Sequence, residues 1–434
     1  MAVKHQAPRG TRDLLPEETA RWRVAEASAR GVLERYGYGE IRTPMFEDFE
    51  LFARTSGESS DVVQKEMYRF TDLGDRVLAL RPEFTAGVMR AYLEHGLGGR
   101  ARVHRLWSMG AVFRYGRPQK GRYRQFSQLN CELVGTAAPG ADVEMITLFV
   151  DLYEAWGFKN LTVKVNSVGQ PASRRAYGEK LRQALAPHGS RLSEDSKRRL
   201  EQNPLRVLDS KDEKDLALLA ELSGRLPKLL DVIDPADREH WEQVLVGLTA
   251  AGIRHEIDHG LVRGLDYYTR TAFEVHDDSL GAQSALGGGG RYDGLIEELG
   301  GPPTPGVGFA IGLDRTLLVM EERGLAAAPG DAVCVVTMDA TRAGAMALVR
   351  ELRQRFRVEA DVEARGFGAQ MKAAGKSGAR FLVIAGEEEW ARGEVALKDS
   401  KTGEQKAVRR EALAAELASR ASARQEMKRG EKSP

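Results

Sequence analysis

Cysteine is nearly missing from this 434-residue chain. Cys131 and Cys334 are the only two and stand far apart, which excludes a disulfide framework and a cysteine-based zinc site and leaves two buried, reduced thiols as the expectation. Long apolar runs are missing as well. No stretch reads as a membrane span, and the opening MAVKHQAPRGTRDLLP lacks the apolar segment of a secretory signal, so a cytoplasmic protein with no membrane partner is expected. Nor is there an excess of charge of one sign: 64 Lys and Arg against 63 Asp and Glu leave a formal net charge of +1. A nucleic-acid partner would have to be met by local basic patches, because the surface as a whole is not basic. A dinucleotide fingerprint is absent too. Neither the glycine run 287–290 nor GVGFAIG fits G-x-G-x-x-G behind a strand, so close backbone packing explains these glycines better.

What the chain does contain is a pair of alternating runs from Ala111 to Gly135, AVFRYGRPQKGRYRQFSQLNCELVG, joined by a Gly- and Pro-containing loop. That pattern predicts a long antiparallel hairpin. On its second run Arg124, Phe126, Gln128, Asn130 and Glu132 share one face, and Tyr123, Gln125, Ser127, Leu129 and Cys131 share the other. With Arg114 on the first run, a guanidinium, an amide and a carboxylate can converge above one sheet and hold an anion beside a cation. The plainer alternative is an edge hairpin whose charges are solvated. Upstream, RVLALR (76–81) reads as a short strand, and after Pro82 a helical pattern runs from Thr85 to Glu94. Glu83 and Thr85 thus fall at a strand-to-helix turn, where side chains reach the space above a sheet; for Glu83, simple stabilisation of a helix N-terminus is the competing reading.

The length allows two or three domains. Pro16 is placed to begin a helix with Trp22, Ala25, Ala29, Val32, Leu33 and Tyr36 on its apolar side, ending at Gly37. YGEIRTPMFEDFELF alternates like a strand, and Pro44 suits it to an edge or an interface. A helix is expected over Asp142 to Trp156 and a strand over Leu161 to Val165, followed from about 171 to 250 by a charged, helical module. His255, Glu256 and His259 match H-E-x-x-H, yet the alternation around Ile253 and Ile257 predicts a strand, which would hold the two histidines roughly 13 Å apart. LVRGLDYYTRTAFEV brings Arg263, Tyr267 and Tyr268 to the start of a strand, and GVGFAIGLDRTLLVMEE reads as a strand running into a helix that carries Arg315. Residues 325–331 form a linker signal. Beyond it a separate α/β domain is expected, with strands at AVCVVTM, VEADVE, ARFLVIAG and GEVALKDS, helices at TRAGAMALVRELRQRF and near 368–375, and a last helix from about 409. Gly375, Lys376 and Ser377 look like the end of a P-loop, but Gln370 occupies the place of its first glycine. The polar tail, 421–434, is expected to be disordered.

FRYGRPQKGRYRQF resembles motif 2 of the class II aminoacyl-tRNA synthetases, and YGEIRTPMFEDFELF and GVGFAIGLDRTLLVMEE resemble motifs 1 and 3. QLNCELVG, LVRGLDYYTRTAFEV and LGGGGRYDGL are similar to the histidyl-tRNA synthetases in particular, in that family's order and over nearly the whole chain. The resemblance implies an α+β catalytic domain over 1–325, an antiparallel sheet flanked by helices and carrying the helical insertion, and an α/β anticodon-binding domain over 331–420. It implies activation of L-histidine with ATP and Mg2+ to histidyl-adenylate and transfer to the 3′ end of tRNA(His), by a homodimer joined through motif 1, with the insertion near the tRNA acceptor arm. Glu83, Thr85 and Gln128 would hold the substrate ammonium, and Glu132 and Tyr268 the imidazole nitrogens, with Tyr267 beside them. Arg114 and Arg263 would be catalytic at the α-phosphate, and Arg114, Arg124 and Arg315 would bind ATP; no metal site of the protein itself is implied. Two positions depart from the family pattern: Gly116 stands where FRxER usually has glutamate, and Ser127 where RQFHQ is usual. The missing glutamate would meet the adenine edge, so backbone groups are expected to serve there. A catalytically dead regulatory paralogue would lack the C-terminal domain and the motif arginines, whereas this chain keeps Arg114, Arg263 and Arg315.

Overall fold

The computed structural model describes residues 5–56, 62–202, 204–208, 210, 212–222, 224–261, 267–325 and 331–420. The chain divides into two compact units, one within 1–327 and one within 328–434. The tail over 421–434, most of the linker and Arg263 lie outside the described residues.

Helix α1 (Pro16–Arg35) begins on a proline, which has no N–H to lose at the first helical position. It buries Trp22, Ala25, Ala29, Val32 and Leu33 and stops where Gly37 adopts φ +76°. The continuous strand expected next is broken into β1 (Gly39–Glu40), β2 (Phe46–Asp48) and helix α2 (Phe49–Ser56). The reason is local and tertiary together: Asp48 accepts the Glu50 N–H at 3.0 Å, turning the chain into a helix, and Phe52 on that helix is fully buried. Strands β3 (Arg69–Thr71) and β4 (Val77–Leu80) follow, with β4 central in a small antiparallel sheet of order β2-β4-β3. Helix α3 (Thr85–Glu94) then leads to the hairpin β5 (His104–Phe113) and β6 (Gln125–Val134).

The chain continues through α4 (Pro139–Ala155), β7 (Leu161–Ser167), the helices α5 (Pro171–Leu185), α6 (Glu194–Gln202), α7 (Glu213–Glu221) and α8 (Pro235–Ala250), then β8 (His255–Ile257), β9 (Thr269–Asp277), β10 (Ala285–Arg291), α9 (Leu295–Glu298), β11 (Gly306–Gly312) and α10 (Leu313–Glu322). The main sheet has the order β1-β5-β6-β11-β10-β9-β7-β8; the outer pairs β1/β5 and β7/β8 are parallel and the rest antiparallel. His255 therefore sits on a strand, as the alternation predicted. One face of the sheet is the core. Leu129, Cys131 and Leu133 of β6 and Val307, Phe309 and Ile311 of β11 bury against α1, α4 and α8, an apolar area whose removal from water is the main stabilising term. Helix α8 closes the helical module, yet its Trp241, Val244 and Leu248 belong to this core. A buried ionic link fixes it there: Arg291 on β10 bonds Asp142 of α4 at 2.5 Å, and His240 of α8 lies 3.3 Å from the same carboxylate. The arginine pulls the Asp142 carboxyl down to about 2 against the opposing effect of burial.

The second unit has β12 (Ala332–Thr337), α11 (Asp339–Arg353), β13 (Arg357–Ala360), α12 (Phe367–Lys376), β14 (Phe381–Ala385), α13 (Glu387–Ala391), β15 (Glu394–Asp399) and β16 (Gln405–Arg409), in sheet order β13-β12-β14-β15-β16. Strand β16 ends at Arg409, where the last helix was expected to begin; a short turn over Arg410–Ala412 leads into that helix, which runs over 413–420. Gln370 is buried, with its amide bonded to Thr337 and Arg365 backbone atoms, so the P-loop-like run is an ordinary packed helix end.

Candidate active site

The site forms on the other face of the main sheet, where the strands carry almost no side chains at their centre. Register places Glu132 opposite Gly308 and Gly308 opposite Gly290; Asn130 faces Ala310, which faces Gly288; Gln128 faces Gly312. A methyl group on Gly308 would overlap Glu132 Oε2 and stand 2.7 Å from the Cys131 carbonyl, and one on Gly290 would come 2.7 Å from the Tyr268 ring. Glycine is thus required by proximity, and the floor it leaves is the bottom of a cavity of about 620 Å³.

Glu83, Thr85, Gln128, Tyr267 and Tyr268 line this cavity together with Arg114 and Arg315. Residues from the turn before α3, the hairpin, β9 and α10 are thereby brought to one place. Glu83 is also the anchor of α3: one carboxylate oxygen accepts from Ala86 N–H at 2.9 Å and the other from Thr85 N–H. Glu83 thus stabilises the helix N-terminus, as the competing reading had it, while the same residue lines the cavity. Burial raises its carboxyl despite those bonds and despite Arg114. Arg114 donates through Nε to the Pro82 carbonyl at 2.8 Å and lies 5.7 Å from the Phe126 ring centre, which orients its guanidinium along the cavity wall.

Glu132 is wholly buried on the same face, its carboxyl lying over Gly308 and not itself part of the cavity lining. Asn130 Nδ2 donates to its Oε1 at 3.0 Å and the Tyr292 hydroxyl to its Oε2. Burial pushes its carboxyl up to about 8, against the lowering effect of hydrogen bonds from Thr85, Tyr292 and Asn130. The rings of Tyr267 and Tyr268 stand 4.7 Å apart and Tyr267 meets Tyr292 edge-on at 5.8 Å; burial raises the hydroxyls of Tyr267 and Tyr292 well above the ordinary phenol range. One end of the cavity thus gathers oxygen acceptors from Glu83, Thr85, Gln128, Tyr267, Tyr268 and Tyr292, suited to a ligand with several N–H donors.

Arg124 is not part of this lining. Its Nε bonds the Gly116 carbonyl at 3.4 Å and its guanidinium covers the Tyr115 ring at 3.6 Å. Ser127 faces away from Gln128 and gives its N–H to Asp314 at 2.7 Å. Asn130, Glu274, Glu66 and Tyr292 line the cavity without having been singled out from the sequence as ligands. Asn130 was legible from alternation, being between Gln128 and Glu132 on one face, while nothing local marks the other three.

A family model described as histidyl-tRNA synthetase matches residues 10–316, and one described as anticodon binding domain matches residues 332–420. The chain is 48% identical to a histidine–tRNA ligase of Thermosynechococcus vestitus over 414 residues, 95% of this chain and 96% of the relative. It is 48% identical to one of Desulforamulus reducens over 405 residues, 92% and 96% of the two chains. Among solved structures, the apo histidyl-tRNA synthetase of S. aureus superposes with a TM-score of 0.77 at 36% identity, covering 95% of this chain and 99% of the other.

Proposed function

The chain belongs to the histidyl-tRNA synthetase family and has the activity of its histidine–tRNA ligases; from that premise we propose how its own residues divide the work. The class II catalytic fold and the anticodon-binding domain accompany that membership, and ATP is the family's second substrate. L-Histidine occupies the cavity end with Glu83, Thr85, Gln128 and the tyrosines, where its ammonium meets the Glu83 carboxylate and its imidazole meets Glu132 and Tyr268. The observation that carries this reading is the Glu132 carboxyl lying over Gly308, buried and hydrogen-bonded by Asn130, Tyr292 and Thr85. An amino acid without an imidazole offers this cluster of buried polar groups no partner of matching shape, which can cost orders of magnitude in rate.

ATP lies along Arg114 and Arg315; Arg263 lies outside the described residues and is assigned to the α-phosphate from its place in the family's motif alone. A carboxylate oxygen of histidine forms a bond to the α-phosphorus, the bond from that phosphorus to the bridging oxygen breaks, and pyrophosphate leaves with the electron pair. Arg114 and Arg263 neutralise the charge that builds on the phosphoryl oxygens. A hydroxyl of the terminal tRNA adenosine then attacks the acyl carbon and AMP departs. Magnesium bound with ATP would lend further positive charge to the phosphates beside Arg114 and Arg315.

We further propose a homodimer working in the cytoplasm with tRNA(His). Met45, Phe46, Phe70, Leu73 and Val77 are exposed on and around the β2-β4-β3 sheet, an apolar face of the kind that protein partners cover. No described helix is long and apolar enough to cross a membrane. The test is charging of bulk tRNA with each amino acid in turn; acid-stable incorporation of histidine alone is expected, and incorporation of another amino acid at a comparable rate would overturn the assignment of the pocket.

A further inference from the structure

Among the cavity carboxylates with no part in the chemistry above is Glu66. Glu66 ends the helical turn Val62–Glu66 and lines the cavity. Its backbone carbonyl accepts the Tyr115 N–H at 2.6 Å, and Tyr68 packs edge-on against the Tyr115 ring with centroids 5.5 Å apart. These contacts fasten the turn to the end of the first hairpin strand. The side chain is then held beside Gly116: Glu66 Oε1 lies 3.8 Å from the point a Cβ on Gly116 would occupy. Among the described residues no donor or cation is bonded to that carboxylate. The same cavity wall carries the Phe126 ring and the guanidinium groups of Arg117, Arg122 and Arg315.

A nucleotide whose phosphates meet the guanidinium groups can lay its base on Phe126, with the base edge toward Gly116. A carboxylate there accepts hydrogen bonds and donates none. The exocyclic amine of adenine satisfies it, while the carbonyl that guanine presents at the same position meets it lone pair to lone pair. We propose that Glu66 reads the nucleotide base, accepting from the adenine amine and rejecting guanine through the space that Gly116 leaves open. Glu66 thereby serves, from a different segment of the chain, at the position where backbone groups were expected to substitute for the missing motif glutamate. The inference rests on the ATP-dependent reading above.

The test is binding of ATP and of GTP to the full-length protein by calorimetry, without histidine, so that turnover does not enter. Wild type is expected to prefer ATP by about a hundredfold, and Glu66→Gln, whose amide can also donate, to narrow that preference to about threefold. Glu66→Ala should lose the preference, and Gly116→Glu added to it should restore most of it by supplying a carboxylate from the neighbouring backbone. A melting curve superimposable on wild type for Glu66→Gln keeps the comparison one of recognition. An undiminished ATP preference in Glu66→Gln, or no restoration in the double variant, overturns the proposal. Failure of histidine charging would strike the ligase reading and leave the binding result standing on its own.

Discussion

Replacing Glu132 by glutamine should change the pH dependence of histidine binding in one specific way. Burial holds the carboxyl at about 8, so in the ligand-free protein it carries its proton at neutrality, while free imidazole ionises near about 6.5. A complex in which carboxyl and imidazole share one proton is reached without net proton exchange at about pH 7.2, midway between the two. Below that, both partners arrive protonated and one proton must leave; above it, neither does and one must be taken up. Affinity should peak there and fall on both sides, approaching about tenfold per pH unit beyond each value. Glu132→Gln should weaken binding by about one to two orders of magnitude at neutral pH, and should remove the alkaline limb only, because an amide has no proton to lose. Calorimetry in buffers of different ionisation enthalpy counts the protons directly, and the ligand's own amino group cancels in the difference between the two proteins. The ligand-free protein carries the same signature in its stability: the Glu132 contribution is full below the ordinary value of 4.5 and is lost as pH rises through about 8. An alkaline limb equally steep in both proteins would refute the placement of Glu132 against the imidazole.

Gly308→Ala should displace the Glu132 carboxylate, costing about 1–3 kcal/mol in thermal or urea unfolding and more than about tenfold in histidine affinity; unchanged affinity would mean the floor need not be bare. Asp142→Ala removes the fully buried partner of Arg291, leaving it only Asp293 and two backbone carbonyls, and should destabilise the protein by about 3 kcal/mol in urea unfolding. In wild type the Asp142 contribution is present above the ordinary 3.8 and lost as pH falls through about 2. Arg263→Ala should slow single-turnover adenylate formation with little change in ground-state affinities, and Arg263→Lys should fall between, since lysine restores charge but not the planar fork. Normal chemistry in an Arg263→Ala protein that merely melts earlier would remove that residue from the reaction.

Alternation and turn signals made much of this fold legible. The second hairpin strand, helix α3 from Thr85 to Glu94 and the β11-to-α10 step all follow from local patterns that tertiary packing reinforces, whereas the first hairpin strand starts at His104, ahead of the expected Ala111, and ends before Arg114. The broken strand between Gly39 and Ser56 was not legible, because its alternation continues through Asp48 while a side-chain bond and the burial of Phe52 turn the chain into a helix. At the site, the face shared by Gln128, Asn130 and Glu132 could be read from period alone, but whether Arg124 reaches the cavity depends on the Tyr115 ring it covers. Tyr292 and Gly308 were hidden for a different reason. Their importance lies in register with Glu132, a relation between distant segments that no local pattern records.

Histidine-dependent exchange of labelled pyrophosphate into ATP tests the central claim most directly, because it isolates the first transfer from every tRNA contact. With the full-length protein, exchange should require histidine and fall by orders of magnitude with the other amino acids, since none of them satisfies Glu132. Exchange that proceeds equally with another amino acid, or none at all with histidine, ATP and magnesium present, would contradict it.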